Sequence, residues 1–210
     1  MKILFFGDSI TDANRNREGD FSLGNYGLGF VRSVAGTLMC EAADRYEIFN
    51  RGIGGNRVVD LYARVKIDCW NLKPDVLNIL IGVNDVWHEL AAQNGVELDR
   101  FEKVYQTMLK ETKERLPNTT IILCEPFILK GKVTEEKYDE FLAVREYAKV
   151  VKKLAEEFDC YFIPLQEKID AFAEKYGVEA CLSDGVHPAI GGAQLIANEW
   201  LKLFKEKIEK

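Results

Sequence analysis

The chain has 210 residues, 47 % hydrophobic and 30 % charged, with 28 Lys and Arg against 34 Asp and Glu for a net charge of -6. That length suits one domain, taken as residues 1–210, which buries roughly 70 % of its unfolded surface without metal or disulfide staples. The composition excludes disorder and fibrous repeats. The acidic balance argues against a nucleic-acid partner, and no apolar run reaches the ~18 residues of a membrane span.

In chain order, Ile3-Leu4-Phe5-Phe6 runs straight into Gly7 and Asp8. It is too short for the apolar core of an export signal, so a cytoplasmic location is expected. Residues 2–6, 47–50, 76–81, 120–124 and 161–163 read as five strands buried on both faces, because they lack polar alternation. A helix begins near Asp99, with Glu102 three residues on as a variant capping box. Its apolar residues, among them Phe101, Tyr105, Met108 and Leu109, recur at helical spacing. Another helix runs from Thr134 towards Phe158. A last one follows Pro188, a first-turn residue, with Ala193, Ile196, Ala197, Trp200, Leu201 and Phe204 in one stripe.

Strands alternating with helices imply an α/β fold, with a central five-stranded parallel sheet between two helical layers. Ligands of such folds bind beyond the carboxyl ends of the strands, so each loop after a strand is a candidate site. The five cysteines, Cys40, Cys69, Cys124, Cys160 and Cys181, are scattered and read as reduced core thiols. With two histidines and no ligand spacing, neither a zinc site nor another cofactor is expected.

Four segments carry the chemistry. After the first strand comes Gly7-Asp8-Ser9-Ile10-Thr11-Asp12, which holds a serine at a sharp turn. Alone it reads equally as a turn or a helix cap. After the second comes Asn50-Arg51-Gly52-Ile53-Gly54-Gly55-Asn56, whose glycines let backbone N–H groups approach a ligand. It lacks the Lys-Ser/Thr ending of a phosphate-binding loop. After the third, Asn84 offers a side-chain amide and Asp85 a cap or brace. Before the last helix, Asp184 precedes His187 by three residues, close enough to orient the imidazole. Serine, imidazole and carboxylate are the parts of a nucleophilic hydrolase.

Taken together as Gly7-Asp8-Ser9, Gly52-Ile53-Gly54-Gly55-Asn56, Gly82-Val83-Asn84-Asp85 and Asp184-Gly185-Val186-His187-Pro188, these blocks span the chain. Their order and content resemble the SGNH, or GDSL, hydrolase superfamily. The resemblance implies a flavodoxin-like three-layer fold, with Ser9 as nucleophile, His187 as general base and then acid, and Asp184 as its partner. It also implies an oxyanion hole of the Ser9 N–H, the Gly55 N–H and the Asn84 amide, with Gly54 the alternative to Gly55. Asp8 and Asp85 are expected to brace their loops.

Within the superfamily, Ser9-Ile10-Thr11-Asp12 with Arg15 and Arg17, the stretch from Gly24 to Phe30, Gly55-Asn56-Arg57-Val58-Val59-Asp60-Leu61 and Asn84-Asp85-Val86-Trp87 resemble intracellular acetylxylan esterases. That implies removal of acetyl groups from xylo-oligosaccharides, a small-molecule ester substrate. Asp12, Arg57, Trp87 and His88 are the candidate substrate contacts, since sugars are held by aromatic faces and charged hydrogen bonders. Equally, Trp87 reads as core, and Arg57 and Arg15 as solvated charges or as partners of Asp12 and Asp60. The alternative is a lysophospholipase or thioesterase whose acyl site is lined by Phe127, Ile128 and Leu129. A non-catalytic sugar-binding member is the remote third. Exposed aromatics near the site leave a homo-oligomer open, and activity is expected to need neutral His187.

Overall fold

The short apolar runs become strands of a single parallel sheet in the computed structural model, which describes residues 1–17 and 23–209. The strands are β1 (Lys2–Gly7), β2 (Glu47–Gly52), β3 (Val76–Leu80), β4 (Thr120–Cys124) and β5 (Tyr161–Ile163). They lie in the order β2-β1-β3-β4-β5. Every neighbouring pair is parallel. This is the flavodoxin-like strand order, in which the direction of winding reverses between β1 and β3 and ligands bind at that reversal.

Helices fill the connections. They are α1 (Ser9–Asp12), α2 (Phe30–Ala42), α3 (Val58–Val65), α4 (Val83–Ala92) and α5 (Leu98–Arg115), followed by α6 (Tyr138–Phe141), α7 (Val144–Glu157), α8 (Gln166–Tyr176), α9 (Val178–Cys181) and α10 (Ile190–Lys207). Helices α2 and α10 pack together on one face, and α3, α5 and α7 on the other. Successive side chains of β1 show both layers, as the period of two in a strand requires. Phe5 meets Phe30 of α2 and Trp200 of α10, whereas Phe6 lies beneath the Arg64 guanidinium of α3. Trp200 stacks on Phe204 with centroids 4.9 Å apart. Its indole N–H donates to Asn78 Oδ1 at 3.1 Å, pairing that oxygen in the middle of the sheet. Among the described residues no helix is long and apolar enough to cross a membrane.

Burial on both faces holds for β1, β3 and β4, but β2 alternates buried with exposed or half-buried residues, and in β5 only Ile163 is buried. β2 and β5 are the edges of the sheet, where one covering layer ends. Three expectations about helix ends need correcting. Asp99 does not cap α5; Glu97 holds that position without a side-chain bond, and Asp99 pairs with Lys103 one turn on. The helix expected from Thr134 is broken into the turn Glu135–Lys137, α6 and α7. Thr134 is instead buried, its hydroxyl donating to the Leu129 carbonyl at 2.7 Å. Pro188 lies two residues before the start of α10, with Ala189 at the cap.

Candidate active site

At the end of β1 the chain must turn within one residue. A side chain at Gly7 would collide with Thr11 and with the Leu80 carbonyl of β3, so only glycine brings the two strand ends this close. The Asp8 side chain then accepts the Ile10 N–H at 2.9 Å and caps the single turn α1. Ser9 is the first residue of that turn. Its Oγ lies 3.0 Å from His187 Nε2, and His187 Nδ1 lies 2.7 Å from Asp184 Oδ2. The three expected side chains, drawn from both ends of the chain, are thus in one hydrogen-bonded line.

The local folding around Asp184 explains how a pair three residues apart achieves this. Asp184 Oδ1 accepts the N–H groups of Val186 and His187 at 2.9 and 2.8 Å, a tight turn that leaves Oδ2 for the imidazole. Burial pushes the Asp184 carboxyl up, but these bonds outweigh it and hold it below the usual carboxylate range. The loop after β4 supports the turn from outside, Leu129 N–H donating to the Gly185 carbonyl at 2.9 Å and Val133 N–H to that of Asp184 at 3.0 Å. Sequence reasoning did not single out this support, since only the tertiary fold brings residues 129–133 to Asp184.

Opposite Ser9, Gly55 adopts φ +81°, a conformation that favours glycine. The N–H groups of Ser9 and Gly55 find no acceptor among the described residues. The Gly54 N–H is already given to Asp12 Oδ2 at 3.1 Å, so the adjacent glycines are not equivalent as donors. Asn84, in the first turn of α4 and 4 % exposed, donates from Nδ2 to the Asn56 carbonyl at 3.1 Å. Its other amide hydrogen is unclaimed by any described residue.

Asp8 and Asp85 are buried beneath these donors. Asp85 Oδ1 accepts the Val58 N–H at 3.0 Å, tying α4 to the start of α3. Each aspartate leaves Oδ2 without a partner among the described residues. Burial pushes both carboxyls up to about 7, and for Asp85 the nearby Asp8 charge adds to it.

A cleft of about 450 Å³ opens over Ser9 and is also lined by Ile10, Leu28, Gly54, Ser183 and His187. Of the candidate substrate contacts, Asp12 lines this cleft but spends its oxygens on the Gly54 and Arg15 N–H groups and on Arg17. Arg57 is held by Asp60 at 2.9 Å and by Asn94, and Arg15 donates to the Gly52 carbonyl at 2.9 Å rather than pairing with Asp12 through its side chain. The His88 imidazole lies over Gly55, and burial together with the Arg57 charge lowers its pKa. Trp87 is half-buried, its ring 6.0 Å from that of His187 and edge-on to Phe141. Phe127, Ile128 and Leu129 are buried in the core rather than arranged as a groove.

This arrangement can activate a hydroxyl for attack on a carbonyl and hold the resulting oxyanion. The model of the GDSL-like lipase/acylhydrolase family matches residues 5–195. The chain is 35 % identical over 207 residues to an acetylxylan esterase of Geobacillus stearothermophilus, covering 96 % of this chain and 92 % of that one. The crystal structure of that enzyme superposes with a TM-score of 0.85, at 36 % identity over 96 % of this chain and 92 % of the other. A GDSL-like lipase structure from Parabacteroides merdae superposes with a TM-score of 0.90, at 42 % identity over 98 % and 96 % of the two chains. Variants of the Geobacillus enzyme with a serine, an aspartate or a histidine replaced by alanine have been solved as catalytic mutants.

Proposed function

The chain belongs to the GDSL-like lipase/acylhydrolase family and is a carboxylic ester hydrolase; from that premise we propose that it is a serine esterase removing O-acetyl groups from small carbohydrates such as acetylated xylo-oligosaccharides inside the cell. The observation that carries this reading is the unbroken line from Ser9 Oγ through His187 to Asp184 at 3.0 and 2.7 Å.

In the mechanism, His187 Nε2 takes the Ser9 proton as Oγ attacks the acetyl carbonyl. Asp184, already ionised, steadies the imidazolium through Nδ1. The carbonyl oxygen becomes an oxyanion that accepts from the Ser9 N–H, the Gly55 N–H and Asn84 Nδ2. His187 then returns its proton to the sugar oxygen as the bond to the acetyl carbon breaks, leaving acetyl-Ser9. Water repeats the sequence with His187 as base, releasing acetate and restoring Ser9.

The acetyl preference draws support from the core placement of Phe127, Ile128 and Leu129, which removes the apolar acyl groove that a lipid substrate would use. The half-buried Trp87 beside His187 offers an aromatic face to the sugar. A longer-acyl reading keeps one observation in its favour, the 70 % exposed Leu28 on the cleft wall. Hydrolysis of p-nitrophenyl esters from acetate to decanoate, wild type beside Ser9→Ala, tests the proposal. Rates highest on acetate and absent in the variant support it. Rates that climb with chain length replace acetate by a lipid or thioester substrate, and a wild-type rate in Ser9→Ala removes the serine from the mechanism.

A further inference from the structure

We propose that Arg64 is a positioning residue for the oxyanion hole, an inference that rests on the serine-esterase reading above. Arg64 sits in α3, its side chain only 13 % exposed. Nη2 donates to the Gly7 carbonyl at 3.0 Å, and Nη1 to the Arg51 carbonyl and to Asp68 Oδ2, both at 2.9 Å. Nε donates to Asn56 Oδ1 at 2.7 Å. The guanidinium carbon lies 4.3 Å from the centroid of the Phe6 ring.

These partners are the residues that carry the donors. Gly7 ends β1 two residues before the Ser9 N–H, and its carbonyl also accepts the Ile53 N–H of the glycine loop at 3.1 Å. Asn56 follows Gly55 directly, so fixing its side chain fixes the peptide beside the second donor. The Asn56 carbonyl accepts the third donor, Asn84 Nδ2. One planar guanidinium therefore joins the carboxyl ends of β1 and β2 to the loop between Gly55 and Asn84. No lysine could do this, since the three contact directions need the fixed fork of arginine. Asp68 and the Phe6 face balance the cost of burying the charge. Arg64 lines none of the cleft above Ser9, so it acts through the donors and not on substrate.

Preorganised donors matter in the transition state and little in ground-state binding. Loss of one oxyanion donor costs roughly 10²–10³ in kcat, and displacement of several by a loosened loop falls in the same range or somewhat below. The test measures p-nitrophenyl acetate hydrolysis by Arg64→Ala, Arg64→Lys, Asn56→Ala and the double variant Arg64→Ala/Asn56→Ala, with melting temperatures and Ser9→Ala alongside. The expected result is a fall in kcat of about 30–300-fold in Arg64→Ala at nearly unchanged KM, with little recovery in Arg64→Lys. Asn56→Ala, which keeps the other Arg64 bonds, falls by about tenfold, and the double variant is no worse than Arg64→Ala alone. Millimolar guanidinium restores part of the Arg64→Ala rate and none of the Ser9→Ala rate. Where Arg64→Ala does not fold, Asn56→Ala carries the test.

A folded Arg64→Ala or Asn56→Ala with wild-type kcat overturns the proposal, as does a loss expressed wholly in KM. If Ser9→Ala keeps its rate, the serine-esterase reading fails instead.

Discussion

Asp184→Asn is a clean perturbation because the two carboxylate oxygens have separate duties. Oδ1 accepts both backbone N–H groups of the turn, and Oδ2 alone faces His187 Nδ1. Asparagine keeps an oxygen at the first position, so the turn survives. At the second it places an NH₂ group, which donates where the carboxylate accepted. His187 Nδ1 must then accept, its proton moves to Nε2, and Nε2 presents a hydrogen to Ser9 Oγ at the 3.0 Å contact. The base is occupied before the reaction begins. In a serine hydrolase this tautomer error costs roughly 10⁴ in kcat, about 5 kcal/mol of barrier. The structural cost is smaller: two charge-assisted bonds become neutral ones, about 1–2 kcal/mol and a few degrees in melting temperature for a chain of this size. Hydrolysis of p-nitrophenyl acetate near neutral pH and calorimetry on the same preparation separate the two effects. A folded variant that retains more than about a tenth of the wild-type kcat refutes the reasoning, because it leaves His187 correctly protonated without Asp184.

The buried pair predicts how stability depends on pH. Burial pushes the Asp8 and Asp85 carboxyls up to about 7 in the folded chain, against 3.8 ordinarily. The folded state therefore binds more protons than the unfolded one between these values, so the stability this pair contributes is full below 3.8 and is lost as pH rises towards about 7. The loss is on the order of a few kcal/mol, so the melting temperature is expected to drop from pH 5 to pH 8, with a shallower drop in Asp85→Asn; equal slopes contradict this. Trp87→Ala is expected to raise KM for an acetylated xylo-oligosaccharide by about 5–10-fold while leaving p-nitrophenyl acetate hydrolysis within about threefold, the worth of one aromatic contact. Unchanged saccharide kinetics would take Trp87 out of the sugar site. Trp200→Ala removes the fully buried ring stacked on Phe204 and its bond to Asn78. It should cost about 3–5 kcal/mol and roughly 10 °C in melting temperature, measured by thermal unfolding.

The sheet was legible because β-strands buried on both faces leave continuous apolar runs, as in Ile3 to Phe6 and Thr120 to Cys124. Ser9, Asp184 and His187 were legible as a proposed triad because their residue types are scarce and sit in or beside loops where packing imposes little. What escaped lies in pairings between distant segments. Nothing local tells Asp99, which pairs with Lys103, from a cap. Thr134 carries a good capping side chain, yet the fold buries it to hold the loop beside Asp184. Arg64 looks like a solvent-facing helix residue among the charges of α3, and only the approach of β1, β2 and the Asn56 loop turns it inward. Gly54 and Gly55 differ in no sequence property, and the Asp12 carboxylate distinguishes them.

The same geometry explains why this site tolerates two carboxyls with an unpaired oxygen each. Burying such a group is unfavourable by at least a few kcal/mol, and a protein selected for stability alone would replace it. Asp8 and Asp85 each hold one N–H, that of Ile10 and that of Val58, at the first turns of α1 and α3. Those turns flank the Ser9 and Gly55 N–H groups, which on the proposed mechanism stay free in the resting protein and cannot stabilise one another. Side chains from the layer below therefore do the holding. On the proposed mechanism, the instability left at Asp8 and Asp85 is the counterpart of donors kept free for an oxyanion that exists only during reaction.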